Sequence, residues 1–393
     1  MKISWDFIKE ELNRNNFRPR ATGFYVHFPF CQQKCPYCHF YSFKGKEDDW
    51  NFWLAAIKNE MEIAASSLSE FMIIDTIYLG GGSPSLLAPE KIKEILEGLT
   101  RRYFARPLEI TLEANPDGRK EWLKGWRGVG VNRLSIGAQS FDDHLLRILR
   151  RRHSARENLE FFIKAREAGF ENINIDLMIG LPGETYETVR NNLQAIDNLK
   201  PEHISLYMLE ELENVPFRKI WEENPISEDD LARIYTEYQQ ALTERSYRQY
   251  EISNFARPGY ECRHNLKYWR YLPYIGLGPS AGSHLGPVRW QNVAELKSWA
   301  EAVSSGSIAA SEFINLRRED SISERLAFGL RLTEGIDWSE FKNDYPDFDF
   351  SAYEKKIAEL ISLGSLKLSH SRLSIPVDKF LVTNAILSEL IFV

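Results

Sequence analysis

The stretch that decides the fold is Tyr25-Val26-His27-Phe28-Pro29-Phe30-Cys31-Gln32-Gln33-Lys34-Cys35-Pro36-Tyr37-Cys38. Its first part, residues 24–30, is apolar and aromatic and is typical of a buried strand. Three cysteines with the spacing C-x3-C-x2-C follow on a short polar loop. Four cysteines in 393 residues are too few for a disulfide framework, so the crowding of three indicates a metal site or catalysis.

The three cysteines are best explained by an iron–sulfur cluster. Structural zinc usually takes four protein ligands, and three thiolates are one short. A 4Fe–4S cluster on Cys31, Cys35 and Cys38 would leave one iron open for a small chelating ligand. The alternatives are zinc with His27 or His39 as fourth ligand, and three reduced structural cysteines.

Short apolar runs alternate with amphipathic stretches over the first 250 residues. This alternation predicts right-handed βαβ units and a parallel sheet. Six units predict an α/β fold, a partial (β/α)6 TIM-like barrel that stops two units short of eight. A doubly wound open sheet is the alternative. The predicted strands are residues 24–30, 75–79, 108–112, 133–136, 172–178 and 203–208.

Unusual residues fall where the predicted strands end, the edge at which parallel barrels carry function. Gly80, Gly81 and Gly82 follow the second strand and would let backbone approach a ligand closely. Glu113 follows the third strand, with a plain surface carboxylate as its alternative reading. Asp176 lies within an apolar strand, where a carboxylate is rarely buried without a partner.

The rest of the chain divides by composition. Residues 250–305 lose the alternation and become rich in aromatic residues and glycine. Helical stretches at 323–332, 353–363 and 378–390, with a hairpin-like stretch at 364–375, predict a small winged-helix-like domain. The predicted parts are an N-terminal segment 1–20, a barrel 21–249, a connecting region 250–305 and a C-terminal domain 306–393.

Composition is that of an ordinary soluble globular protein, with 43% hydrophobic and 27% charged residues. The net charge of −7 gives no overall attraction to nucleic acid or anionic lipid. A basic run at residues 147–152 breaks this trend and is read mostly as a solvated helix face. Without a signal peptide or a long apolar stretch, we expect a cytoplasmic protein with no transmembrane segment and no nucleic-acid partner.

The cysteine spacing, with an aromatic residue before the third cysteine, resembles the radical S-adenosylmethionine superfamily. The resemblance implies that S-adenosylmethionine chelates the open iron and is cleaved to methionine and a 5′-deoxyadenosyl radical. It also implies that an arginine fork pairs with the methionine carboxylate. The residues at matching cofactor-binding positions are Tyr25, Gly81, Gly82, Ser83, Glu113, Gln139, Arg151 and Asp176.

Four strings, at residues 25–31, 80–85, 130–142 and 176–185, narrow the resemblance to the anaerobic coproporphyrinogen III oxidase group. One branch of that group is an oxidative decarboxylase with a longer N-terminal extension and a further cysteine just after the third ligand. The other branch is a heme chaperone. Here His39 follows Cys38, and about twenty residues precede the first predicted strand.

Residues 264–269 look like the H-N-x-x-Y-W heme motif of the chaperone branch. The resemblance implies a chaperone that binds heme through His264, Asn265, Tyr268 and Trp269 and passes it to acceptor hemoproteins. A histidine among aromatic residues can ligate heme iron, and the alternative is an aromatic core segment with a satisfied histidine.

Two functions rival the chaperone: oxygen-independent coproporphyrinogen III oxidase, and a radical enzyme with an unrelated substrate. Two residues depart from the family pattern. His39 stands where aspartate is usual, and Cys262 is expected to be a small buried residue rather than an iron ligand.

Overall fold

The computed structural model describes residues 2–102, 108–209, 216–223 and 225–391. The chain begins with strand β1 (Lys2–Ser4) and helix α1 (Trp5–Arg14), whose first turn is capped by the Ser4 hydroxyl. Two short strands, β3 (Phe30–Cys31) and β4 (Phe43–Lys44), pair with each other at the two ends of the cysteine loop.

Six parallel strands form the centre of the molecule, and each lies beside the one that follows it in the sequence. This sequential order confirms the partial (β/α)6 barrel; in a doubly wound sheet the strand order would reverse. The strands are β2 (Arg20–Phe28), β5 (Met72–Gly81), β6 (Glu109–Ala114), β7 (Arg133–Gln139), β8 (Asn172–Ile179) and β9 (His203–Met208).

Helices connect these strands and cover their outer face. Several begin at side-chain caps: in α6, Ser154 and Glu157 form a capping box, and Phe161 and Phe162 on its buried face pack into the main core. The helices are α2 (Glu47–Leu68), α3 (Pro89–Arg102), α4 (Leu123–Gly128), α5 (Asp143–Ile148), α6 (Ala155–Glu167), α7 (Tyr186–Leu199), α8 (Arg218–Glu223) and α9 (Glu228–Glu244).

Later strands extend the sheet at both edges and leave it open, with 13 strands in one sheet. On one side a strand from the aromatic and Gly-rich region runs parallel to β2, followed by antiparallel strands and β1. On the other side an antiparallel pair follows β9. These elements are β10 (Arg248–Gln249), β11 (Asn254–Ala256), β12 (Tyr274–Leu277), β13 (Gly282–Leu285), β14 (Val288–Asn292), helix α11 (Leu296–Ser304) and β15 (Ser307–Asn315).

Helix α10 (Arg263–Trp269) lies across the amino ends of β2, β5 and β6, opposite the cysteine loop. Lys267 on this helix bonds the Ala21 carbonyl at 3.0 Å and the Asp75 carboxylate at 2.8 Å. A Cβ atom on Gly23 would stand 2.7 Å from the Lys267 side chain and 3.0 Å from the His264 ring, so this strand position needs glycine. Helix α10 therefore forms the floor of the barrel.

The C-terminal part has its own hydrophobic core, between Ile322 and Leu390, and a three-stranded antiparallel sheet. Helices beside a small sheet confirm the predicted winged-helix-like domain. Its elements are α12 (Arg318–Gly329), β16 (Ile336–Asp337), α13 (Trp338–Asn343), α14 (Ser351–Ser362), β17 (Lys367–Ser369), β18 (Arg372–Ser374) and α15 (Thr383–Ile391). Across the described ranges, no helix has the length and apolar character needed to span a membrane.

Candidate functional site

The cysteine loop is anchored against the strand that precedes it and the glycine strip that follows β5. The Cys38 amide donates to the Cys35 carbonyl at 3.1 Å, closing a turn between the second and third cysteines. The Gly82 and Ser83 amides donate to the Phe28 and Phe30 carbonyls at 2.7 and 2.8 Å. All three loop cysteines are half-buried, and they line one cavity together with Gly81 and Gly82.

In the described ranges, the cysteine loop offers three thiols and no fourth ligand for a structural zinc ion. Burial raises the pKa of the Cys31 and Cys38 thiols, and hydrogen bonds from Ser83 and Ser42 oppose this at Cys31. Within the described ranges, no three His, Cys, Asp or Glu side chains converge closely enough to hold one metal ion. His27, a possible fourth zinc ligand, contacts the Tyr25 hydroxyl at 3.0 Å and the Tyr41 carbonyl at 2.9 Å, which occupies both ring nitrogens.

A cavity of about 340 Å³ joins the cysteines to the carboxyl ends of the parallel strands. We call it the upper cavity. Seven of the eight predicted S-adenosylmethionine residues line it together with Cys31, Cys35 and Cys38. These seven are Gly81, Gly82, Ser83, Glu113, Gln139, Arg151 and Asp176. Tyr25, the eighth, lies on the wall of a neighbouring cavity instead.

Two carboxylates line the upper cavity from strands β6 and β8, which lie on either side of β7. Glu113 accepts hydrogen bonds from the Tyr78 hydroxyl and the Gly81 amide, both at 3.0 Å. Burial and the nearby charge of Asp176 raise the pKa of Glu113 to about 7. Asp176 accepts from Asn174 at 2.7 Å, and burial raises its pKa as well. Both groups can accept hydrogen bonds from ligand hydroxyls.

Arg151 connects the cysteine loop to the strand ends. Its Nη2 donates to the Asn115 side chain at 2.6 Å and to the Gly137 carbonyl at 2.9 Å, while Nη1 lies 3.4 Å from the Cys35 sulfur. Its Nε is buried without a partner in the described part of the chain, leaving one donor for a bound anion. Asn115 is not among the residues predicted from the sequence, although it stands only two residues after Glu113.

Backbone geometry also marks the upper cavity. Gln139 is a non-glycine residue at φ 66°, a conformation that usually persists only where surrounding structure enforces it. Gly81 has φ 109°, and a Cβ atom there would stand 2.6 Å from the His27 ring. Gln139 thereby places its amide side chain on the cavity wall, and Gly81 places its backbone there.

A second cavity of about 540 Å³ adjoins the upper cavity on the side of helix α10, and we call it the lower cavity. It shares Tyr78, Glu113, Ser135 and Tyr207 with the upper cavity, so the two are contiguous. His39 and the exposed Phe40 border both. Three of the four predicted heme residues, His264, Asn265 and Tyr268, line the lower cavity from the floor helix α10.

His264 is fully hydrogen-bonded. Its Nδ1 lies 2.9 Å from the Thr76 hydroxyl and its Nε2 lies 3.0 Å from the Tyr268 hydroxyl. The residue is 1% exposed, and burial lowers its pKa to about 3, so the ring is neutral at physiological pH. His264 therefore matches the alternative stated from the sequence, a buried histidine whose hydrogen bonds are satisfied. It also lies on the wall of a cavity.

Trp269 and Cys262 lie at opposite ends of α10. Trp269 does not line the lower cavity; it faces the C-terminal domain, with Phe328 at 6.2 Å between ring centroids and Arg331 above its ring. Cys262 lines the lower cavity, is 3% exposed and lies 3.4 Å from Glu109. Burial raises the pKa of its thiol to about 12, which keeps it protonated.

The parallel strands and the cysteine-lined cavity define a radical S-adenosylmethionine protein. Family comparison agrees: residues 25–196 match the radical SAM superfamily, and residues 316–376 match the HemN C-terminal domain. Heme chaperone HemW of Bacillus subtilis (strain 168) is 32% identical over 88% of this chain and 93% of its own length. This chain belongs to the HemW family of HemN-like radical S-adenosylmethionine proteins.

Two further relatives extend the comparison over almost the whole chain. The mitochondrial radical S-adenosyl methionine domain-containing protein 1 of Bos taurus is 33% identical over 95% of this chain and 88% of that protein. The solved structure of coproporphyrinogen III oxidase (HemN) from Escherichia coli has a TM-score of 0.86 and 25% identity. It covers 99% of this chain and 94% of that chain, which confirms the fold through both domains.

Proposed function

We propose that this chain is a heme chaperone that holds a 4Fe–4S cluster and S-adenosylmethionine, binds heme, and passes the heme to acceptor hemoproteins. The observation that carries the proposal is the pair of contiguous cavities. One contains the three loop cysteines, and the other contains His264, Asn265 and Tyr268. The name of the HemW relatives gives independent support.

The upper cavity fits the cluster and S-adenosylmethionine. Cys31, Cys35 and Cys38 would hold the cluster, which when bound supplies one-electron chemistry next to the sulfonium. Glu113 and Asp176 can accept hydrogen bonds from ribose hydroxyls. The free Nε–H of Arg151 can donate to the methionine carboxylate, because a guanidinium pairs well with a carboxylate.

The lower cavity is the proposed heme site, where the His264 imidazole would ligate the heme iron. Ligation through Nε2 would require the Tyr268 hydroxyl to leave that nitrogen, and ligation through Nδ1 would require the Thr76 hydroxyl to leave. Asn265 bonds Glu251 at 3.3 Å and so helps to hold α10 in place. Trp269 contributes as a positioning residue, by packing α10 against the C-terminal domain.

The test uses the full chain, reconstituted anaerobically with iron and sulfide. We expect stoichiometric heme uptake with a shifted Soret band, and no protoporphyrinogen from coproporphyrinogen III. His264→Ala should change the Soret band, because loss of an axial imidazole alters the ligand field of the iron. The control His144→Ala, on the exposed face of α5, should leave it unchanged.

A Soret band that is identical in His264→Ala and the parent protein would show that another group ligates the iron; Cys262 would be tested next. A further control replaces Cys31, Cys35 and Cys38 together by Ala. This variant should lack the cluster absorbance at about 400 nm and should contain no cluster iron or sulfide. Retention of about four irons by that variant would contradict the cluster assignment.

The second candidate is oxygen-independent coproporphyrinogen III oxidase. The structural match to the HemN enzyme over 99% of the chain favours it. Against it, His39 rather than cysteine follows Cys38. Efficient formation of protoporphyrinogen by the wild-type chain, without stoichiometric heme uptake, would establish the oxidase and exclude the chaperone.

A further inference from the structure

Arg133 is a buried cation on the wall of the lower cavity, and no function above uses it. It is the first residue of β7 and is 2% exposed. Its Nε is buried without a partner. Throughout the part of the chain that the structure describes, no oxygen accepts a hydrogen bond from its guanidinium. Arginine stays protonated even when buried, so the positive charge remains.

The carboxylates around Arg133 all accept hydrogen bonds from groups other than Arg133. Glu109 accepts the Arg263 and His264 amides at 3.0 Å each and thereby caps the amino end of α10. Glu113 accepts from Tyr78 and Gly81, as described above. The third acid, Asp176, accepts hydrogen bonds from the Ser135 hydroxyl and the Asn174 side chain.

These acids act on Arg133 only through space. Glu109 favours its charged form, but none of these three carboxylates forms an ion pair with it in the described residues. A buried charge without hydrogen-bonded partners is costly, so such a group usually has a partner in the functional state. The wall of the same cavity carries a second buried polar atom without a partner, Asn254 Oδ1.

We infer that Arg133 is an anion-binding residue that pairs with a carboxylate of the ligand in the lower cavity. The inference rests on the proposed function, in which the ligand is heme, a porphyrin whose two propionate side chains carry carboxylates. The planar guanidinium fork matches the two oxygens of a carboxylate. Arg133 and His264 line the same cavity, so one ligand can contact both.

Comparing two ligands on the wild-type chain tests the role of Arg133 without any variant. Wild-type chain is titrated with heme and with heme dimethyl ester, in which both carboxylates are neutral esters. We expect heme to bind about tenfold or more tightly, the size expected for a charged hydrogen bond in a buried site.

The matching protein change is Arg133→Gln, with Arg133→Lys as the variant that keeps the charge. Gln should remove most of the preference for heme over the ester, and Lys should retain part of it. Arg156→Gln makes the same charge change at a side chain that is 86% exposed and should preserve the full preference. Cluster content and S-adenosylmethionine binding report whether each variant is folded.

Equal affinity of the wild type for heme and its dimethyl ester would overturn the role of Arg133 and leave the chaperone proposal standing. A folded Arg133→Gln variant that keeps the full preference would do the same. Failure of the wild type to bind either compound would overturn the proposed function, and this inference with it.

Discussion

The Tyr268 hydroxyl is 3.0 Å from His264 Nε2, so it competes with any iron for that nitrogen. Removing only the hydroxyl keeps the ring that packs edge-on against His264 and Tyr274. We expect Tyr268→Phe to bind heme as tightly as the wild type or up to about fivefold more tightly, because a hydrogen bond worth about 1 kcal/mol no longer has to be broken.

Tyr268→Ala should have the opposite effect, because it also removes the ring and its apolar contact. Heme titration followed at the Soret band measures both variants. Weaker binding by Tyr268→Phe, similar to that of Tyr268→Ala, would mean that the hydroxyl contacts the ligand rather than competing with it.

The carboxylate of Glu113 can accept hydrogen bonds from the ribose hydroxyls of S-adenosylmethionine. Glu113→Gln should weaken S-adenosylmethionine binding about tenfold, the expected loss for one hydrogen bond involving a charged group. Iron and sulfide content should not change, since Glu113 is not among the cluster ligands. Equilibrium binding of S-adenosylmethionine is the measurement.

The matched control for Glu113 is Glu184→Gln. Glu184 is also a carboxylate whose pKa burial raises to about 7, but it accepts the Gly180 and Leu181 amides and lines neither the upper nor the lower cavity. Unchanged affinity in Glu113→Gln, or an equal loss in Glu184→Gln, would place the nucleoside elsewhere.

At the scale of elements, Glu60 joins helix α2 to the later strands and to α11. Its carboxylate accepts the Gly278 amide at 2.7 Å, and the Asn292 amide and Trp299 indole at 3.1 Å each. The residue is 1% exposed, and burial raises its pKa from 4.5 to about 7. The free energy of unfolding should therefore depend on pH through the titration of the Glu60 carboxyl group.

The sign follows from proton linkage. Between pH 4.5 and 7 the folded chain keeps the Glu60 proton while the unfolded chain loses it, so stability falls as pH rises and stays lower above pH 7. Glu60→Gln does not titrate. The wild type should therefore lose about 3 kcal/mol relative to this variant between those pH values.

Thermal or urea unfolding at pH 4.5 and pH 8 measures this difference. Glu94→Gln is the control, because hydrogen bonding to Lys58 lowers the pKa of Glu94 and gives a dependence of opposite sign. A difference between wild type and Glu60→Gln that is constant with pH would contradict the prediction.

At the scale of the whole molecule, the main barrel core and the C-terminal core are joined beside the barrel floor. Glu324 on α12 accepts from the Tyr271 hydroxyl at 2.9 Å and pairs with Arg289 on β14. Arg270 and Glu334 form a second ion pair between the two parts, with side chains 47% and 49% exposed. Burial differs between these contacts, and their contributions should differ with it.

Glu324→Gln should lower the melting temperature by a few degrees, because it weakens a half-buried charged hydrogen bond worth about 1.5–3 kcal/mol. Glu334→Gln should have almost no effect, since an exposed pair contributes about 0–1 kcal/mol. Thermal melts and limited proteolysis near residues 306–318 compare the two. Equal destabilisation by both changes would show that exposure does not decide the strength of this junction.

Sequence alone determined the features that depend on local periodicity and spacing. Strand alternation established the order of β2 to β9, and the three cysteines stand within eight residues. Strand ends carry Gly81, Glu113 and Gln139, and in a parallel barrel those ends meet at one edge. For that reason the fold and the positions of Gly81, Gly82 and Glu113 could be predicted from local pattern, whereas Gln139 and Arg151 were predicted through the resemblance to the radical S-adenosylmethionine superfamily.

Tertiary structure alone decided which cavity each side chain faces. The floor helix α10 meets Glu109 across 154 residues of chain, and its position turns His264 and Tyr268 inward and Trp269 outward. Burial of Arg133 without a partner depends on the same placement, because α10 takes the carboxylate of Glu109. Such contacts depend on how distant elements pack in three dimensions, which local sequence patterns do not specify.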